Sequence, residues 1–262
     1  MPGPRETKRV LIVVRTYPTP AHKGVEVSCT AGVCDGKWIR LFPVPYRFLD
    51  PDKRFSKYQW IECSVVRAAG DARVESYTLD RDSIRIVSPQ ISTAEAWAAR
   101  KDVVFPLRSQ SLCGLRAQSL QSLGLFRPKA IKRLVIEPVS PNWTADQLAA
   151  LRQPLMFDKA PRAELEKVPF NFKYVFQCDE PKCRGHRAMC TDWEMGASWH
   201  RWRNEYGNDW ERKFRERYEC DMVGRNDTHF YVGTVHKHPR NWVIVGLFYP
   251  PKTPQGSLFR AD

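Results

Sequence analysis

Three cysteines and a histidine fall within thirteen residues, as Cys178-x4-Cys183-x2-His186-x3-Cys190, and this cluster limits the fold more than any other feature of the chain. Thiolate and imidazole are the donors that zinc gathers four at a time into a tetrahedron, and a loop this short can wrap one ion. Gly185 beside His186 relieves the crowding of so tight a wrap, and Pro181 pre-bends the loop between the first two cysteines. The spacing matches none of the common zinc fingers or knuckles. The competing readings are three incidental thiols beside a surface histidine, an iron–sulfur cluster, or a thiol redox pair. A closed four-ligand zinc is structural, whereas three ligands would leave a position for water and permit hydrolysis; four is the simpler count. His236 and His238, two apart near a strand end, are reserve ligands should Cys190 point away.

The compartment bears on that reading. The segment before Val10 is short, charged and broken by two prolines, and the apolar run Val10–Val14 is far shorter than the roughly 18 residues a membrane span needs. The expectation is a cytoplasmic protein with no membrane partner. A reducing compartment disfavours structural disulfides among the eight cysteines, five of which (Cys29, Cys34, Cys63, Cys113 and Cys220) are scattered.

Charge points to a partner. The net charge is +13, and residues 1–140 hold 23 Lys and Arg against 13 Asp and Glu. Phosphates draw such chains through counterion release, so DNA or RNA is the expected partner. The alternative is a basic protein without a nucleic-acid role.

Short runs rich in Val, Ile and aromatics predict strands at 10–15, 25–30, 37–42, 60–66 and 73–78, with an Asp35-Gly36 hairpin turn. Turns about every ten residues suggest a small barrel or sandwich. Ser92-x-x-Glu95 and Thr144-x-x-Gln147 have the form of capping boxes and predict helices over 94–100 and 145–153; a further short helix is expected over 115–123, and a strand over 131–137. The Pro-rich stretch 154–169 reads as a linker. An aromatic strand over 170–177 leads into the Cys cluster, followed by helices near 192–206 and 209–222 and strands over 229–235 and 242–249. No internal repeat is legible.

Thr191-Asp192-Trp193-Glu194 follows the cluster directly. A metal-dependent nuclease or other hydrolase using His186, Asp192 and Glu194 is one reading. Two helical residues two apart diverge by about 200°, however, so Asp192 and Glu194 could not share an ion unaided. Thr191 and Glu194 also form a capping box, which makes the carboxylates helix-starting residues. Met195, Trp199, Trp202 and Tyr206 then line one face as core.

In the basic half, Arg15, Lys37, Trp38, Arg40, Arg47 and Lys57 interleave cations with aromatics, the pattern by which small barrels stack bases and track phosphates. Trp38 and Arg40 share one face of a strand. The competing reading puts Trp38 and Trp60 in the core and leaves the cations as solvated surface.

Cys29-Thr30-Ala31-Gly32 followed by Gly36-Lys37-Trp38-Ile39-Arg40-Leu41-Phe42-Pro43 resembles the Cys-x-Ala-Gly…Gly-x-Trp-Ile-Arg-Pro pattern of dual OB-type domains in prokaryotic conflict (phage-defence) systems. Leu41-Phe42 intervene before the proline, and the likeness covers about a fifth of the chain. The chain also looks like an uncharacterised prokaryotic family that pairs this segment with a Cys…Cys-x-Gly-His…Asp-Trp-Glu region. The resemblance implies nucleic-acid binding, in a mobile-element or phage-defence setting, without specifying a reaction.

These readings predict an α+β protein: an OB-like small β-barrel domain over 1–140, a helix and linker over 141–169, a zinc-bearing α+β domain over 170–252 and a loose tail over 253–262. Nucleic-acid binding with structural zinc on Cys178, Cys183, His186 and Cys190 is the favoured function. The hydrolase and a protein-complex adaptor stand as alternatives.

Overall fold

The computed structural model describes residues 3–21, 26–118, 121–152, 164–236 and 238–252. The linker expected over 154–169 falls largely outside these residues, and the tail expected over 253–262 wholly outside them.

The first half is built from β1 (Arg5–Arg15), β2 (Thr19–Pro20), β3 (Glu26–Cys34), β4 (Lys37–Val44), β5 (Trp60–Arg67), β6 (Ser76–Leu79) and β7 (Arg85–Ile86). The apolar run Val10–Val14 is wholly buried in β1, long enough to pair with both β3 and β5. Asp35 and Gly36, both at positive φ, make the two-residue β3–β4 turn that the sequence predicts. β4 pairs with β6 in parallel, and β6 pairs with β5. Because β5 returns to β1, the five strands β1-β3-β4-β6-β5 close into a barrel. In chain order this is 1-2-3-5-4-1, the five-stranded Greek-key arrangement of the OB fold. Val10, Ile12, Ile39, Leu41, Ile61, Cys63 and Val65 alternate inward to fill it.

Two helices follow: α1 (Ala94–Val104) and α2 (Leu112–Ala117). The capping box expected at Ser92 is absent: Thr93 takes the N-cap position, and the Ser92 hydroxyl accepts from the Ala94 N–H. Glu95, Ala96 and Trp97 sit in the left-handed region, which costs roughly 1–2 kcal/mol per residue. Offsetting contacts come from Trp97, whose ring packs at 5.3 Å from Phe248 and 5.2 Å from Tyr249 and lies under the Arg100 guanidinium.

The second sheet contains β8 (Leu123–Phe126), β9 (Ala130–Pro138), β10 (Phe170–Gln177), β11 (His186–Cys190), β12 (His229–Val235) and β13 (His238–Phe248), in the order β8-β12-β13-β11-β10-β9. Strands β9 to β13, taken in chain order, again run 1-2-3-5-4, with the third and fifth parallel. The fold thus repeats an arrangement that no sequence repeat announces. Where the barrel closes strand four on strand one, the described second sheet instead places β8 against β12. The helix expected over 115–123 is displaced: α2 starts and ends earlier, and the wholly buried run Leu123-Gly-Leu-Phe126 is strand. Both β8 and β9 fall within the span expected to form the first domain, yet they pair in the second sheet.

Between β9 and β10 lies α3 (Ala145–Leu151), with the full Thr144/Gln147 capping box. Between β11 and β12 lie α4 (Trp193–Tyr206) and α5 (Trp210–Arg215), the latter continuing through a π-helical segment, Glu216–Asp221. Met195 and Trp199 of α4 are buried against Phe172, Phe214 and Tyr218, as the apolar stripe predicts. Among the described residues, no helix is long and apolar enough to cross a membrane.

Candidate functional site

Cys178 directly follows β10 and is buried, and β11 begins at His186 after a turn through Gly185, whose φ of +91° suits glycine. The cluster loop therefore joins two antiparallel strands and folds its side chains back toward one point. The Cys183 thiol accepts from the backbone N–H groups of Cys178 at 3.3 Å and Gly185 at 3.4 Å. His186 Nε2 lies 3.3 Å from Cys183 Sγ.

The fourth member is not Cys190 but Cys113, on α2, whose Sγ lies 3.3 Å from His186 Nε2. One donor atom from each of Cys113, Cys178, Cys183 and His186 falls within 4.8 Å of all the others. A tetrahedral zinc with bonds of about 2.3 Å would hold its ligands about 3.8 Å apart, so this Cys3His set can enclose one metal ion. Ser111 caps α2 by accepting from the Gly114 N–H and donates to Glu180 at 2.7 Å, which binds the helix to the loop. Cys190 could not have joined. It sits four residues beyond His186 on the same strand, about 13 Å away, buried between β10 and β13. His236 stands 3.5 Å from Asp71, and His238 is exposed.

The electrostatics favour ligation at Cys183 and His186 and oppose it at Cys113 and Cys178. Burial raises the Cys183 thiol, but the N–H donors of Cys178 and Gly185 outweigh it and hold the thiol below its ordinary range. Burial pushes Cys113 up to about 12 and also raises Cys178, so those two thiols are protonated without a metal and an ion would have to displace both protons. Burial, reinforced by Arg116, lowers His186 and favours the neutral, ligating imidazole.

The hydrolase trio is not assembled. His186 belongs to the cluster, while Asp192 and Glu194 both reach Lys57 of the first half. Lys57 Nζ is 2.8 Å from Glu194 Oε1 and 3.4 Å from Asp192 Oδ2. The divergence expected of two helical residues does not apply, because Asp192, and not Thr191, is the N-cap (φ −55°, ψ 132°), so its side chain is free of the helical rotation. Asp192 also accepts from the backbone N–H groups of Glu194 and Leu247, each at 2.7 Å, and Glu194 accepts from the Tyr249 hydroxyl at 2.7 Å. Nearby, the Arg15 guanidinium lies between the Tyr46 and Trp193 rings, 3.8 and 4.2 Å from their centroids. Tyr17 packs on Gly196 of α4, where any side chain would meet its ring at 2.2 Å.

The six-residue basic–aromatic face is therefore largely an internal seam. Arg40 is 3% exposed and donates to Ser122 O at 3.0 Å and Ser122 Oγ at 3.2 Å, across the two halves. Trp38 meets Tyr231 of β12 edge-on, and Arg47 pairs with the buried Glu26 at 2.8 Å. Only Lys37 of the six is exposed. The sequence shows that Trp38 and Arg40 share a face; it does not show that the second sheet covers that face. Arg40→Met is accordingly expected to lower stability by about 2–4 kcal/mol, read from urea unfolding, since it removes charge-assisted bonds to a buried carbonyl.

Beside this seam lies a groove of about 840 Å3. Its walls include Lys8, Lys37, Trp38 and Tyr77 of the barrel, the β3–β4 turn, Val74 and Glu75 of the loop between β5 and β6, and Gln118 and Gln121 of the second half. Lys8 lies over the Tyr77 ring at 5.1 Å. The same two glutamines line a second cavity of about 400 Å3, with Arg116, Ala117, Pro239, Arg240 and Trp242. Sequence reasoning missed Gln118, Gln121 and Trp242, which have no local signature and are brought together by the packing of the segment after α2 against β13 within the second half.

Fold and site together define an OB-type barrel protein with a second sheet of the same strand order and a Cys3His cluster able to hold a metal ion. Residues 108–262 match the family model described as Domain of unknown function (DUF8757), and residues 6–106 match Domain of unknown function (DUF8758); the chain belongs to the DUF8757 family. No curated protein matches it. Among solved structures, the tetrameric p202 HIN2 is 9% identical, with 96% of this chain and 95% of that chain covered at a TM-score of 0.32. The Ifi202 HINa domain in complex with 20bp dsDNA is 10% identical, with 94% and 96% covered at a TM-score of 0.33.

Proposed function

We propose that the protein binds a nucleic-acid strand in the groove between its halves, and that Cys113, Cys178, Cys183 and His186 hold one zinc ion as a structural brace. The observation that carries this reading is the lining of the groove: Lys8 and Lys37 can meet phosphates, and Trp38 and Tyr77 offer ring surface to bases. The β5–β6 loop corresponds to one of the loops through which OB folds meet oligonucleotides. The net charge of +13 supplies the long-range attraction. With four protein ligands the zinc would have no position for water, so the brace shapes the protein and takes no part in a reaction.

Titration of a fluorescent single-stranded oligonucleotide across a salt series tests the groove. Lys8→Gln/Lys37→Gln is expected to weaken binding about tenfold or more near 0.1 M salt and to flatten the salt dependence by up to about two phosphate contacts. Unchanged affinity and slope in a folded double variant would remove the groove from the reading.

A further inference from the structure

The smaller cavity differs from the groove in its chemistry. Arg116 and Arg240 enter it from α2 and β13, Trp242 adds an indole, Gln118 and Gln121 add primary amides, and among the described residues the wall holds no carboxylate. Its volume of about 400 Å3 is at the lower end of the roughly 300–1,000 Å3 typical of small-molecule sites. It is too large for a lone phosphate, and its two guanidinium groups disfavour an uncharged ligand.

From this lining we infer that the cavity is a nucleotide pocket, which takes one nucleobase together with its phosphate. Arginine forks match phosphate oxygens two at a time, the indole offers a stacking face, and amides carry both a donor and an acceptor for a base edge. Arg116 stands one helical turn from Cys113, so the metal-type cluster fixes the end of α2 that presents it. Arg240 comes from the other wall, on β13, so the two cations are set by separate elements. Gln118 and Gln121 also line the groove, so a strand lying there can place a terminal nucleotide in the pocket. In that last respect the inference rests on the proposed function. The pocket itself does not.

The test uses the full chain with zinc content verified, and calorimetric titration with nucleoside 5′-monophosphates in ribo and deoxy form, the parent nucleosides, and inorganic phosphate. Monophosphates are expected to bind at least tenfold more tightly than either nucleoside or phosphate alone. Arg240→Gln is expected to weaken them about tenfold without changing zinc content, and Trp242→Phe to keep more affinity than Trp242→Leu. An oligonucleotide bearing a terminal phosphate should likewise bind more tightly than the same strand without one. If oligonucleotides bind but monophosphates do not, and the terminal phosphate has no effect, the pocket is overturned and the groove stands. Monophosphates binding where no oligonucleotide does would overturn the groove and leave the pocket. Binding of neither would overturn both. Equal affinity for monophosphate and inorganic phosphate would reduce the pocket to an anion site and overturn its assignment to a nucleotide.

Discussion

Lys57→Met is expected to lower the stability of the protein by about 3–5 kcal/mol, because it puts a neutral thioether where a cation faces the buried Asp192 and the partly exposed Glu194. For a chain of this size that corresponds to a fall in Tm of roughly 6–20 °C. Lys57 is ion-paired with both Asp192 and Glu194, joining them to the first half, and Asp192 is fully buried. The pH response carries the same information. Burial would raise the Glu194 carboxyl, but Lys57 and the Tyr249 hydroxyl outweigh it and hold it below the usual carboxylate range. A depressed carboxyl contributes stability that is fully present above its unfolded value and lost as pH falls through its folded one, so the share from Glu194 weakens in acid. Asp192 runs the other way: burial holds its carboxyl above the ordinary value, so its share declines as pH rises through the carboxylate range. Without Lys57 both carboxyls lose their cation, so acidification should favour the variant relative to the parent. Denaturant midpoints at pH 4 and pH 7 for the two proteins check this. Parallel pH responses would show that the cluster contributes no net pairing energy.

Cys113→Ser is the second change with a large expected effect. Structural zinc contributes on the order of 10–16 kcal/mol to small metal-dependent folds, and losing one of three thiolates forfeits several of these. Purified parent protein is expected to carry about one zinc per chain, and the Cys113→Ser variant a small fraction of that after dialysis against a chelator. Cys190→Ser should keep its zinc, because Cys190 lies about 13 Å along β11 from His186. Elemental analysis of the three proteins separates the two ligand sets. Equal zinc in both variants would remove Cys113 from the site.

Much of this was legible in the chain, and what was not has identifiable causes. The strands at 10–15, 37–42, 60–66 and 170–177 announce themselves through β-branched and aromatic runs with turn residues at their ends. Leu123–Phe126 does not, since four buried apolar residues read equally well as the end of a helix, and only pairing with β12 decides the matter. Three of the four clustered donors follow from spacing alone. Cys113 could not, because proximity in sequence says nothing about a distant helix. The extended geometry of His186–Cys190 could have excluded Cys190, and the Val-free, polar look of that segment concealed it. Asp192 shows the same limit on a smaller scale: a shift of the helix start by one residue turns two diverging carboxylates into a pair on one cation. Arg40 and Lys57 look like surface because sequence counts charges and does not see the second sheet that covers them.

The strand order has a consequence for how the protein emerges during synthesis. All five barrel strands lie between Arg5 and Leu79, so the ribosome delivers that half complete and early. The second sheet must wait, since β11 finds its parallel neighbour only in β13, near the described C-terminal end. In the interval Lys57 and Arg40 stand in water, where a cation is well solvated, while the carboxylates that will dehydrate with Lys57 are still to come. Nascent chains would therefore pass through a stage in which the early half displays a cationic, aromatic flank that the finished molecule conceals. A polyanion or chaperone meeting the chain on the ribosome would encounter a different surface from the one met afterwards.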